Sequence, residues 1–264
     1  MTRELFILKV LREAGAVCMK GFGHVKTIQE KQDQSDIVTE VDLASERKIV
    51  SHIKTRFPND TIVAEETGYH GGTGTGTWVI DPIDGTSNFA AGVPWFGIMV
   101  AYMEKGIVTA SGIYLPALDE LYYAERGRGS YCNGKRIRVS SRRSLRESLI
   151  AYGIEYDADP NKVTNEARLM ERLVSACRNV RATNSAVDDC YVARGIFGGS
   201  VFQYNMVWDV AAPSLIVEEA GGMYTDTHGR GLDFRITETS YLQTFTSVAA
   251  PPAIHKELIT LIAH

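Results

Sequence analysis

Apolar residues at Ile7, Val10, Leu11, Ala14, Val17 and Cys18 recur at helical spacing, which predicts an amphipathic helix over about residues 3–22 that stops near Gly21 and Gly23. Thr39-Glu40-Val41-Asp42 has the form of a capping box and opens a second helix, with Leu43, Val50, Ile53 and Phe57 on one face and Pro58 as its stop. No strand is expected ahead of the end of this second helix. Thr61-Ile62-Val63-Ala64 and Trp78-Val79-Ile80 are β-rich runs, each leading directly into acidic residues. The glycine-dense stretch between them, Gly68 to Thr77, reads as one mobile loop. From about Phe96 to Val139 the pattern becomes an antiparallel meander. Its strands are Gly97 to Tyr102, Ile107 to Tyr114, Glu120 to Ala124 and Arg136 to Val139, with turns at Lys105-Gly106 and Asn133-Gly134. After about residue 145 strands alternate with helices: a strand at Ser148 to Tyr152, helices near Glu166 to Cys177 and Ala186 to Arg194, and a strand at Ser200 to Tyr204. A helix from Asp209 to Ala220, capped by Gly221-Gly222, and a last one over about Ala253 to Ile262 complete the chain.

The length of 264 residues allows one large domain or two smaller ones. Lys+Arg of 28 against Asp+Glu of 32 leaves a formal net charge of -4, so no basic field exists to hold nucleic acid or an anionic membrane. An anionic substrate would therefore need help to bind, and a divalent cation could give it. Cys18, Cys132, Cys177 and Cys190 are widely spaced without a C-x-x-C pair, which argues against a zinc ribbon or redox motif and for buried free thiols. Arg3, Glu4, Lys9 and Arg12 interrupt any signal-peptide core, and the longest apolar run, Gly92 to Met103, is too short to span a bilayer. The expected location is a reducing cytoplasm.

The chemistry concentrates in Trp78-Val79-Ile80-Asp81-Pro82-Ile83-Asp84-Gly85-Thr86-Ser87-Asn88-Phe89, where an apolar strand runs into two aspartates three residues apart. Pro82 is read as fixing a turn, Gly85 as permitting close backbone approach, and Thr86-Ser87 as opening a short helix whose free N–H groups face an anion. Two carboxylates beside such a helix start would repel a phosphate unless metal sits between them, so the arrangement implies magnesium. Glu65-Glu66 also follows a short apolar strand, and Trp208-Asp209 opens a helix rich in small residues. Taken singly, each has a plain alternative: turn-former for Asp81 and Asp84, solvated loop acid for Glu65 and Glu66, N-cap for Asp209. Gly72-Thr73-Gly74-Thr75-Gly76 lacks the lysine of a P-loop, and His24, His52, His70, His228, His255 and His264 form no H-x-x-x-H pattern.

Together these motifs resemble those of the inositol monophosphatases. Asp81-Pro82-Ile83-Asp84-Gly85-Thr86-Ser87-Asn88-Phe89 is similar to the family's D-P-I/L-D-G-T-x-N-F, Glu65-Glu66 to its E-E, and Trp208-Asp209-Val210-Ala211-Ala212 to its W-D-x-A-A/G. Asp36-Ile37-Val38-Thr39-Glu40-Val41-Asp42 resembles the upstream D-x-V-T-x-x-D, and Asp119-Glu120-Leu121 through Asn133-Gly134 the middle hairpins. The resemblance implies an α/β chain of α+β character folded as a layered αβαβα sandwich. Residues 1–264 would form a single fold, α+β to about residue 140 and α/β after it, with the site between the halves. It further implies that Glu65, Asp81 and the Ile83 carbonyl hold one magnesium and Asp81, Asp84 and Asp209 a second, with two or three Mg2+ per site. Thr86 and Asp42 would orient the attacking water, although the capping box by itself already explains an acid at Asp42. The backbone N–H groups of Gly85 and Thr86 would hold phosphate oxygens. Lys31 aligns with a family lysine but is read here as solvated and left out of the catalytic set.

The implied activity is hydrolysis of inositol monophosphate or a related small polyol or sugar phosphate by a magnesium-dependent, lithium-sensitive phosphomonoesterase. The implied partners are a small-molecule phosphate ester and a second copy of the chain, with no nucleic acid and no membrane. Fructose-1,6-bisphosphatase or histidinol-phosphatase activity is the alternative within the class, ahead of 3'-phosphoadenosine nucleotidase activity, and a non-catalytic binding protein is the alternative outside it. The family pattern breaks at two substrate positions. Phe202 stands where a hydroxyl-binding glutamate is usual, and Thr183-Asn184-Ser185 stands where G-S/T-A is usual, placing Ser185 and Phe202 at the expected substrate pocket.

Overall fold

The computed structural model describes residues 2–31, 33–154 and 158–263. Helix α1 (Arg3–Gly21) begins where the Thr2 hydroxyl accepts the Leu5 amide, and its buried stripe runs through Phe6, Ile7, Val10, Leu11, Ala14 and Cys18. A short hairpin, β1 (Ile28–Glu30) and β2 (Ile37–Thr39), precedes α2 (Glu40–Arg56), which corrects the expectation of two helices ahead of any strand. Three-residue strands are too short to display a period of two, and β1 is exposed along its whole length.

The large sheet contains β3 (Thr61–Ala64), β4 (Gly68–His70) and β5 (Gly76–Asp84). Helix α3 (Thr86–Ala91) follows, then β6 (Gly97–Glu104), β7 (Ile107–Leu115), β8 (Glu120–Glu125), β9 (Gly129–Cys132) and β10 (Lys135–Arg136). Its order is β10-β9-β8-β7-β6-β5-β3-β4, antiparallel except for the parallel pair β3 and β5. The last hairpin arm lies at Lys135–Arg136 rather than Arg136 to Val139, opposite β9, and turns through Asn133 and Gly134, both at positive φ. The Gly68 to Thr77 stretch is not one loop. Its ends belong to β4 and β5, and the Gly74 amide donates to the Asn59 carbonyl at 2.7 Å.

The second sheet is built from β11 (Leu149–Tyr152), β12 (Asn179–Arg181), β13 (Gly199–Asn205), β14 (Met223–Thr225) and β15 (Phe245–Ala250), in the order β12-β11-β13-β15-β14. Helices α4 (Pro160–Ala176), α5 (Val187–Ala193), α6 (Val207–Glu219) and α7 (Pro252–Ala263) belong to this half. Helices α1 and α2 cover one face of the large sheet, α5 and α6 fill the space between the sheets, and α4 and α7 cover the far face of the small one. This is the αβαβα sandwich. Helix α6 is apolar nearly all round because sheets pack against it on both sides, burying Val207, Trp208 and Val210 through Val217. Among the described residues no helix is long and apolar enough to cross a membrane.

Helix α2 departs from its predicted face. Leu43 is 37% exposed, whereas Asp42, Ser45 and Glu46 are buried beside Val41, Ile49 and Ile53. Polar residues turn inward here because they have backbone partners there: Ser45 donates to the Pro82 carbonyl at 2.9 Å, and Glu46 accepts the Glu66 amide at 2.8 Å. The face that should be apolar is instead fastening two acid-bearing strand ends.

Candidate active site

Strand β5 carries its acids at its C-terminal end, where the pairing with β6 shifts register between Asp81 and Asp84. Pro82 therefore sits in an irregular stretch of strand, not in a turn as its sequence context suggests, and the broken ladder there accommodates its missing N–H. Gly85 then adopts φ 83°. A Cβ at this position would lie 2.9 Å from the Trp95 carbonyl oxygen and 3.0 Å from Ser185 Cβ, so both conformation and space require glycine.

The carboxylates of Asp81, Asp84 and Asp209 converge, each offering an oxygen within 4.8 Å of the others. Asp209 lies in the first turn of α6, where it accepts the Met206 amide at 2.6 Å, and Asp84 accepts the Ala186 amide. Asp81 is 2% exposed, and its Oδ1 is buried with no hydrogen-bond partner among the described residues. Burial, and then the charges of Glu65, Asp84 and Asp209, hold the Asp81 carboxyl well above the usual carboxylate range. Burial also pushes Glu65, at the end of β3, up to about 8, against the opposing charge of Lys31. A buried carboxylate oxygen lacking any donor, amid further acids, fits a bound cation. The convergent all-oxygen set of Asp81, Asp84 and Asp209 suits a hard one such as magnesium, while Glu65 is paired with Lys31.

Asp42 closes the capping box and also reaches Thr86. Its carboxylate accepts the Thr39 amide at 3.0 Å and the Thr39 hydroxyl, closing the capping box of α2. Its other oxygen lies 3.0 Å from the Thr86 hydroxyl, which is also 2.8 Å from the Ile83 carbonyl.

Lys31, set aside as solvated, is in the site. Its ammonium lies 2.7 Å from Glu65, 3.1 Å from Glu66 and 3.3 Å from Asp36. Desolvation opposes its charge, but Glu65 and Glu66 outweigh that and raise its pKa. The signal that could have found it is the charge imbalance itself, since clustered acids require a counter-charge.

A cleft of about 760 Å³ opens over these groups and is lined by Ser185 and Phe202 as expected, and also by Ile154, Glu166, Tyr204 and Leu242, for which the sequence gives no signal. The Thr183-Asn184-Ser185 turn is held from two sides. Asn88 donates to the Thr183 carbonyl at 2.7 Å, and Asn184, at φ 49°, donates to the Ile154 carbonyl at 2.6 Å. His24, His52, His70, His228 and His255 all lie off the cleft, and His264 is outside the described residues.

Next to that turn, Asp188 is fully buried at the start of α5. Burial, partly offset by the Thr183 hydroxyl and the amides of Thr183 and Asn184, pushes its carboxyl up to about 7 from 3.8. The folded chain thus keeps a proton that the unfolded chain releases, so this group's contribution to stability is complete below about pH 4 and is lost as pH rises through about 7. Asp188→Asn is expected to flatten the fall in melting temperature between pH 4 and 7, and an unchanged slope would assign that fall to other acids.

The model of the inositol monophosphatase family matches residues 3–264. The Thermotoga maritima fructose-1,6-bisphosphatase/inositol-1-monophosphatase is 40% identical over 231 residues, 87% of either chain. Nus factor SuhB of Pasteurella multocida is 35% identical over 258 residues, 97% of this chain and 93% of that one. A solved Thermotoga maritima IMPase superimposes with a TM-score of 0.89 at 36% identity, covering 100% of this chain and 97% of the other.

Proposed function

Because the chain belongs to the inositol monophosphatase family, we propose that it is a magnesium-dependent phosphomonoesterase hydrolysing a small phosphorylated alcohol, of the class that includes inositol, sugar and histidinol phosphates. The observation that carries this reading is the convergence of Asp81, Asp84 and Asp209 within 4.8 Å around a buried Asp81 oxygen that has no hydrogen-bond partner among the described residues. Glu65, Asp81 and the Ile83 carbonyl would hold one magnesium, and Asp81, Asp84 and Asp209 a second. Bound magnesium supplies charge neutralisation for the phosphate and acidifies water.

The chain's own residues then position the reactants. The Thr86 hydroxyl, giving its hydrogen to Asp42 Oδ1, keeps lone pairs with which to accept a hydrogen from water and so aim that water's oxygen at phosphorus. Asp42 is itself held by two bonds from Thr39, so the geometry costs little reorganisation during reaction. Gly85, packed where a Cβ would strike the Trp95 carbonyl and Ser185, lets the chain turn into α3, whose first amides, those of Gly85 and Thr86, would hold phosphate oxygens. A homodimer in the cytoplasm, with the cleft between the α+β half and the α/β half, belongs to the same reading.

A second reading, a binding role without catalysis, is favoured by the Nus factor SuhB names of several relatives. The complete set of acids speaks for the enzyme. The test is a phosphate-release screen over inositol, fructose, histidinol and nucleotide phosphates with millimolar magnesium. Release from at least one ester is expected, and a folded protein inert toward all of them favours the binding role.

A further inference from the structure

The parallel register of β3 on β5 ends at the pair Ala64 and Ile80, and one residue further along the two chains come Glu65 and Asp81. There the two part. Strand β5 runs on to Asp84, whereas β3 gives way to the turn Glu65-Glu66-Thr67 that leads into β4. One last ladder bond, from the Glu65 amide to the Ile80 carbonyl at 3.2 Å, reaches into that turn. The next amide, that of Glu66, has no strand to bond to and donates instead to Glu46 Oε2 at 2.8 Å.

Glu46 belongs to a polar stripe of α2. Asp42, Ser45 and Glu46 stand at i, i+3 and i+4, the spacing that sets side chains on one helical face, and all three are buried. Each is bonded to a different piece of the site: Asp42 to the Thr86 hydroxyl, Ser45 to the Pro82 carbonyl between Asp81 and Asp84, and Glu46 to the turn that carries Glu65. One helix thus fixes the spacing of chain segments whose carboxylates repel one another. Glu46 is also a poor choice for helix packing alone. It is 1% exposed, and its Oε1 is buried with no hydrogen-bond partner among the described residues, a destabilising arrangement that an apolar side chain would avoid. The bond to the Glu66 amide is what accounts for an acid there.

We propose that Glu46 is a positioning residue for the metal site: by holding the Glu66 amide it keeps Glu65 beside Asp81, and so sets the affinity for magnesium through Glu65 without touching the ion. The inference rests on the phosphatase reading above and on its assignment of Glu65 as a ligand.

The test measures the magnesium Kd of the full chain by titration calorimetry, with melting temperatures taken in chelator. Glu46→Ala is expected to raise Kd by about ten- to a hundredfold, the usual cost of removing a group that orients a metal ligand. Glu46→Gln, which keeps an oxygen for the Glu66 amide, should stay within about threefold of the parent. Ile53→Ala serves as the control, because it opens a cavity under the far end of the same helix and should lower the melting temperature without moving Kd. In a Glu65→Gln background, Glu46→Ala should weaken binding by less than about twofold further, since its effect runs through Glu65. Should Glu46→Ala fail to fold, Glu46→Asp, one methylene too short to reach the turn, carries the same expectation. A Kd unmoved by loss of the Glu46 side chain, an equal rise in Ile53→Ala, or a full further loss in the Glu65→Gln background would overturn the inference. A parent chain that binds no magnesium at millimolar concentration sinks the phosphatase reading beneath it, a separate outcome.

Discussion

Exhaustive chelation is expected to abolish phosphate release, and millimolar magnesium to restore it. The argument is electrostatic. Two carboxylates whose oxygens are 4.8 Å apart repel by about 3–4 kcal/mol at an effective dielectric constant of about 20, and Asp81, Asp84 and Asp209 contribute three such pairs before Glu65 is added. Lys31 is the cation found beside Glu65 and Glu66, and it is engaged by both of them and by Asp36. A phosphate dianion entering this field binds only if further positive charge accompanies it. Binding of magnesium to the folded chain alone should also stabilise it by mass action, by about 2.7 kcal/mol at a hundredfold excess over Kd. Undiminished turnover after chelation, with no magnesium-induced rise in melting temperature, would refute the metal assignment.

The parts of the fold legible in the sequence are those with a strong local signal. Helix α1 shows its period over 19 residues, and the capping box at Thr39 and Asp42 marks the start of α2 to the residue. The acidic motif at the end of β5 is likewise contiguous, so its three elements, strand end, Gly85 and α3, were readable together. What sequence could not supply is tertiary. The inward face of α2 is polar because strand ends dock on it, and β12 and β14 are three-residue strands defined by their neighbours. Lys31 looks like any loop lysine until the fold brings Glu65 and Glu66 to it. Phe202 was legible as a departure from a family pattern, but its packing against Gly153, on a separate segment, was not.

Asp84→Asn and Asp209→Asn are each expected to lower kcat by about a hundredfold or more, a loss of about 3 kcal/mol of transition-state stabilisation. A structural role for these residues predicts something different, because Asp209 accepts the Met206 amide at the start of α6 and Asp84 accepts the Ala186 amide just ahead of α5. Asparagine keeps an acceptor oxygen for both amides. What it removes is a negative charge from a cluster in which burial and neighbouring acids already hold Asp81 well above its ordinary pKa. Against that relief stands the loss at Asp209 of a helix N-terminal charge, worth about 0.3–1 kcal/mol at an exposed site. The metal-free variants should therefore melt at or above the temperature of the metal-free parent, while their stabilisation by magnesium is reduced. Melting temperatures measured in chelator decide the matter: a sharp drop in both variants would make these aspartates part of the scaffold, and the loss of activity a consequence of unfolding.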